Sequence, residues 1–287
     1  MGRTKTVLLM CGLMLLFMFV GNLIGGEQGM KTAFWAACGI NFFSYFFSDT
    51  LVLKQYRAVP ADQKSAPELY QIVKRLADKA GLPMPKVYIV PEQVPNAFAT
   101  GRNPSHAAVA VTQGLLQLMS PEEVEGVLAH EMSHVRHYDI LIGSVAAVFA
   151  GAITMLARVA PYSGAAAGNG YNGNSRSNNS KLGVLGAFLM PIAASIVQMS
   201  ISRTREYAAD EGAAQLTGHP EWLMSSLSKL EEYSKNYQMK NVSSQTAHMF
   251  IVNPFGSLTG GLASLFRTHP STADRISRLE KIRRGQL

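Results

Sequence analysis

SPEEVEGVLAHEMSHVRHYD, residues 120–139, opens with the signals of a helix start. Ser120 suits the N-cap, Pro121 the first helical position, and Glu122 and Glu123 favour the positive end of the helix dipole. Inside that helix stands His130-Glu131-Met132-Ser133-His134. Residues four apart lie on one helix face with Cβ atoms roughly 6 Å apart, so both imidazoles can reach one metal ion. Glu131 lies one step round the helix, beside the position such an ion leaves open. A hydrolytic zinc site takes three protein ligands and a water. Ile140 stands six residues after His134, where a metzincin needs its third histidine. His137 shares a face with His130 but lies about 10 Å along the axis, too far to complete the site. It is expected to face solvent.

The third ligand must then come from elsewhere. Ser202-Arg-Thr-Arg-Glu206-Tyr-Ala-Ala-Asp210 offers two carboxylates four residues apart, on one face of a second helix. One of them can bind an ion while the other accepts a hydrogen bond from a ligand imidazole and fixes its tautomer. Two apolar runs separate this segment from HEMSH, and an even number of crossings returns the chain to the same side.

Those runs follow from composition. Of 287 residues, 47% are hydrophobic and only 16% charged, where about 25% charged is ordinary for a soluble domain. The deficit is concentrated in residues 7–25, 32–53, 140–157 and 182–201. Val7–Gly25 would rise roughly 28 Å as a helix, close to the hydrocarbon thickness of a bilayer. A second run follows after a short turn, which favours a retained hairpin over a cleaved signal peptide. Pro191 falls in the fourth run, where membrane helices tolerate it. The expected organisation is two transmembrane helices in 1–53, a polar segment in 54–139, and two more spans in 140–201 joined by a flexible loop, 158–181. A second polar segment, 202–287, completes the chain. Arg3, Lys5, Lys54, Arg57 and the C-terminal basic run then share one side, the cytoplasm by the positive-inside rule.

Net charge is +7, with Arg275, Arg278, Lys281, Arg283 and Arg284 near the C-terminus. Beside membrane spans such a run reads as a face near anionic lipid or a solvated helix face, and no nucleic-acid partner is expected. Cys11 and Cys38 both lie in apolar runs, so neither a disulfide nor a metal role is assigned. Within 54–139, apolar residues at Leu69, Ile72, Val73, Leu76 and Ala77 predict a helix over Pro67–Ala80 that ends at Gly81. Lys86–Val90 and Ala107–Thr112 read as strands. Pro95 removes a ladder donor, so the segment between them belongs at a sheet edge.

With these segments in hand, the sequence resembles the HtpX-type membrane metalloproteases, relatives of the CAAX-prenyl-protein endopeptidases. The resemblance covers nearly the whole chain. Its motifs are HEMSH followed by Asp139, SRTREYAAD, Asn96-Ala-Phe-Ala-Thr-Gly101, and His269-Pro270 with Arg275 six residues after the histidine. It implies an α+β zincin-like metalloprotease domain, mostly helical with a small sheet, fused to about four transmembrane helices. It further implies one Zn2+ held by His130, His134 and Glu206, with Glu131 as catalytic base and Asp210 supporting a ligand. His269 and Arg275 would sit over the cleft and support the oxyanion. The edge segment Asn96, Ala97, Phe98 and onward to Thr100 would pair with an extended substrate. The partners implied are polypeptides, notably misfolded membrane proteins, together with membrane lipid, with the active site on the cytoplasmic side of an inner membrane. The competing reading is a non-catalytic metal-binding membrane scaffold or sensor, its metal closed by a fourth ligand such as His137 or His269. A divalent-metal transporter fits less well, because HEMSH lies in a polar helix ahead of the third run.

Overall fold

A computed structural model describes residues 2–146, 148–149, 202–236 and 270–287. The N-terminal apolar sequence forms α1, Gly2–Gln55, which is two helices joined at a kink. Gly25 and Gly26 leave helical geometry there, and Gly26 takes φ 58°, a left-handed state that glycine adopts without Cβ strain. Asn41 Nδ2 donates to the Met10 carbonyl at 3.3 Å, so the two arms lie side by side as a hairpin. The second arm, Gly25–Gln55, is long and apolar enough to cross a membrane. The first, Thr6–Asn22, is apolar but shorter than the span expected for it. Residues 140–146 are helical and open the third apolar run. The loop 158–181 and the run 182–201 lie outside the described residues, as does 140–157 beyond residue 149.

The strands β1 (Val59–Ala61), β2 (Lys86–Val90), β3 (Ala97–Gly101) and β4 (Ala107–Thr112) form one mixed sheet in the order β1-β2-β4-β3. β2 and β4 are parallel, and the other two pairs are antiparallel. β3 is an edge strand, where Pro95 directs it. β1 was not legible, because Pro60 at its centre argues against a strand; it too sits at an edge, where a missing donor costs nothing. All six residues of β4 are buried, since both faces of the sheet are covered. Val109 and Val111 face the main core, and Ala108 and Ala110 face Val52 and Leu53 at the end of α1. The period-two alternation thus joins a helical core on one face to the end of the N-terminal hairpin on the other.

The helical layer comprises α2 (Pro67–Ala80), α3 (Gln113–Leu118), α4 (Pro121–Arg136), α5 (Arg203–Thr217), α6 (Pro220–Asn236) and α7 (Thr272–Arg283). α2 buries Leu69, Ile72, Val73, Leu76 and Ala77 and stops at Gly81 in the left-handed conformation, as its pattern predicts. The basic C-terminal run is not a single patch. Arg275 points into the protein, Arg278 stacks on Tyr207, and Arg283 and Arg284 both bond Glu280.

α4 starts with a complete capping box. Ser120 Oγ accepts from the Glu123 N–H, and the Glu123 carboxylate accepts from the Ser120 N–H at 2.8 Å. The same carboxylate receives Lys229 Nζ at 2.7 Å and Ser225 Oγ at 2.6 Å, which fastens α6 to the root of the HEMSH helix. Burial acts to raise the Glu123 carboxyl, but the Lys229, Ser225 and Ser120 donors prevail and hold it below its ordinary value. Because the folded value is the lower one, this stabilisation is present above the unfolded carboxyl's value and is lost as pH falls through the folded one. Glu123→Ala is therefore expected to lower unfolding stability by about 2 kcal/mol near neutral pH. The difference should shrink below about pH 4 when unfolding is followed in detergent across a pH series.

Candidate metal centre

α4 and α5 cross closely enough to share an ion. Gly212 of α5 faces Ser133 of α4, and a Cβ at Gly212 would collide with the Ser133 hydroxyl. Glycine at that crossing lets Glu206, in the first turn of α5, reach the HEMSH face. The Nε2 atoms of His130 and His134 stand 3.2 Å apart. Each is 3.6 Å from a Glu206 oxygen, His130 from Oε2 and His134 from Oε1. Tetrahedral zinc with ligand bonds of 2.0–2.2 Å requires its ligand atoms about 3.4 Å apart. The three groups fit such an ion and lie within 4.8 Å of one another.

Each imidazole is held from behind. The Nδ1 of His130 is 3.0 Å from Asp210 Oδ1. Asp210 is gripped in turn by Arg275, whose Nε and Nη2 donate to its two oxygens at 2.9 and 2.6 Å. Arg275 Nη2 also stands 3.3 Å from His130 Nδ1, but a guanidinium cannot accept a proton. The Nδ1 proton therefore points to Asp210, and Nε2 is the nitrogen turned toward the metal position. Burial would raise the Asp210 carboxyl, yet the Arg275 charge and the His130 contact keep it below its ordinary range. His134 has a parallel support. Its Nδ1 is 3.4 Å from Asp139 Oδ2, and Arg205 Nη1 donates to Asp139 Oδ1 at 3.2 Å.

Glu131 is buried beside the ligands, and its Oε2 accepts the Ala99 N–H of β3 at 2.9 Å. Burial pushes this carboxyl up from its ordinary value, the His130 and His134 charges pull it back, and Glu206 pushes it up again. A carboxylate with raised proton affinity next to an open coordination position is suited to accept a proton from water.

The chain belongs to peptidase family M48. That family's model matches residues 63–283, which includes every group just described. The chain is 64% identical over 278 residues to a protease HtpX homolog of Campylobacter curvus, covering 97% of this chain and 96% of that one. It is 53% identical over 283 residues to a protease HtpX homolog of a Sulfurovum species, with 99% and 100% covered. Among solved structures, the crystal structure of S. mikatae Ste24p aligns with a TM-score of 0.50 at 21% identity. That alignment spans 93% of this chain and 62% of the other, and at this identity it concerns the fold alone. This M48 chain is a metallopeptidase, with the His-His-Glu group as its metal site.

The sequence-derived residues are distributed unevenly around the M48 site. His130, Glu131, His134, Glu206 and Asp210 converge. Asn96 is buried at the start of β3, where its N–H donates to Thr112 Oγ1 at 2.8 Å. Ala97 and Phe98 bury their side chains in the main core and the α1 cluster respectively, so these two residues can offer a substrate only their backbone. Arg275, expected above the cleft, is 1% exposed and lies on the Nδ1 edge of His130. His269 lies outside the described residues. His137 is exposed, as its position along α4 predicts. Sequence reasoning assigned no task to Asp139 or Arg205. The available signal was spacing: one stands five residues after a ligand histidine and the other directly before the ligand glutamate. Asp139→Ala is expected to weaken zinc binding about 10–100-fold in a chelator competition, in the range seen when an outer partner of a ligand histidine is removed.

Proposed function

We propose that this chain is an integral membrane zinc endopeptidase that hydrolyses peptide bonds of misfolded membrane proteins on the cytoplasmic side. The observation that carries the reading is Glu131. It is held between the metal-ligand trio and the outer edge of β3, where a base, an ion and a peptide backbone would have to meet.

His130, His134 and Glu206 would hold the ion, and its Lewis acidity would lower the pKa of water to about 7. Glu131 accepts the proton of the attacking water and later returns it to the leaving amine. Asp210 and Asp139 keep the two imidazoles turned with Nε2 inward. Arg275 acts through Asp210, fixing its carboxylate and balancing its charge. The oxyanion task suggested by the family resemblance then rests with His269. An extended polypeptide adds to the outer edge of β3 through the main-chain groups beside the Ala99 N–H that Glu131 holds, which gives broad rather than sequence-tight selection. Broad selection suits the removal of damaged chains. The cytoplasmic orientation rests on Lys54, Arg57 and the basic end of α7, which the positive-inside rule assigns to that face.

A closed structural or sensory site would take a fourth protein ligand. His137, one of the two candidates, is exposed on the far end of α4, and this favours the hydrolytic reading. Glu131→Gln should retain zinc with unchanged stoichiometry while casein hydrolysis in detergent falls about 10²–10⁴-fold. A glutamine variant with full activity would remove Glu131 from the role of base.

A further inference from the structure

β3 does more than border the site. Two contacts tie it to the second arm of α1, one near each end of the strand. Phe98 packs on Tyr56 with ring centroids 5.1 Å apart, and the Arg102 guanidinium lies 5.4 Å from the centre of the Phe46 ring. From Phe46 to Tyr56, one residue past the end of α1, the chain rises about 15 Å, and from Phe98 to Arg102, one residue past the end of β3, it advances about 13 Å. The spacings match, so β3 runs alongside the end of the membrane helix in the opposite direction, with Arg102 at the membrane end. A third contact agrees. Thr100 Oγ1 and Ser144 Oγ are 2.7 Å apart, which sets the same part of β3 beside the first turns of the third apolar run.

The bilayer boundary can be read on α1. Residues 32–48 carry no charge, Phe42, Phe43, Phe46 and Phe47 are exposed, and Asp49 is the first charged residue after them. Tyr45 is exposed among them, and an exposed tyrosine close to the first charge after an apolar run marks the interface between hydrocarbon and headgroups. Phe46 lies about 4.5 Å on the lipid side of Asp49. Ala99, whose N–H meets Glu131, stands three residues or about 10 Å above Arg102 on β3. With Arg102 level with Phe46 and both segments along the membrane normal, the reacting centre stands about 5 Å above Asp49, a height that falls in the headgroup layer if Asp49 marks its inner boundary. Among the described residues, no strand pairs with the outer edge of β3.

We propose that the substrate of this site is a polypeptide segment just leaving the bilayer, cut within about ten residues of its own membrane span. This rests on the proteolytic reading above. A segment anchored in the same bilayer reaches the β3 edge already at the right height, after two or three extended residues. A distant part of the chain must return to the headgroup layer and loses more conformational freedom in doing so. Nothing in the side chains of Ala97 or Phe98 selects a sequence, because both are buried. Height above the membrane is a property that the β3 edge can select.

The test uses the full-length enzyme and a single-span protein reconstituted together in lipid vesicles. The span is followed by four identical polar repeats of about ten residues, so that sequence is the same at every height. Cuts are mapped by mass spectrometry for wild type and for Glu131→Gln. The expected result is that Glu131-dependent cuts in the first repeat exceed those in the third and fourth at least tenfold. Equal cutting of all four repeats would overturn the height selection and leave the endopeptidase intact. Cleavage that persists unchanged in Glu131→Gln, or is absent from wild type, would sink the proteolytic reading and this proposal with it.

Discussion

Two imidazole nitrogens and a carboxylate face one another across 3.2–3.6 Å at the crossing of α4 and α5. With neutral imidazoles all of the facing atoms are acceptors, so the three groups sit together only with a cation or bound protons among them. The arrangement is therefore a demand for positive charge in a buried place, and much of the surrounding structure serves to hold it. Glycine at position 212 permits the helices to approach, the α4 capping box fixes where the HEMSH helix begins, and Glu123 links that start to α6.

Charge balance around this centre is arranged in pairs. Asp210 with Arg275 stands behind one imidazole, and Asp139 with Arg205 behind the other. A buried carboxylate alone would be costly, and one matched to a guanidinium in two-point contact costs far less. The pairs also tie distant chain segments together. Arg275 brings the last helix to the ligand histidine, while Asp139 and Arg205 sit where the chain leaves for, and returns from, the apolar region 140–201. Polar contacts that fix the metal ligands thereby also fix the entry and exit of that region.

The sheet serves as a coupling plate. One face packs on the helices that carry the metal ligands and the other on the end of the N-terminal hairpin, and its edge strand meets both. The same five residues of backbone thus contact both Glu131 and the end of α1. A rigid strand shared between the two explains why β3 can be short, and why its side chains are given over to packing.

Much of this was legible in the linear chain. HEMSH on a capped helix, the i, i+4 acids Glu206 and Asp210, the α2 periodicity and the strands 86–90 and 107–112 depend on local spacing, which the sequence displays directly. The hairpin in residues 1–53 was equally plain from its two apolar runs, of which the second carries only Asp49. What sequence could not decide was which groups meet across long loops. Arg275 faces inward because Asp210 waits in the core 65 residues away in the chain, although its neighbours Arg283 and Arg284 are ordinary exposed cations. Asp139 and Arg205 find each other for the same reason, and β1 exists because β2 offers it a partner despite Pro60. Helix periodicity, caps and apolar length are properties of neighbouring residues, so sequence determined them. The pairing of buried charges and the alignment of an edge strand with a membrane helix depend on packing in three dimensions, and only the tertiary structure decided them.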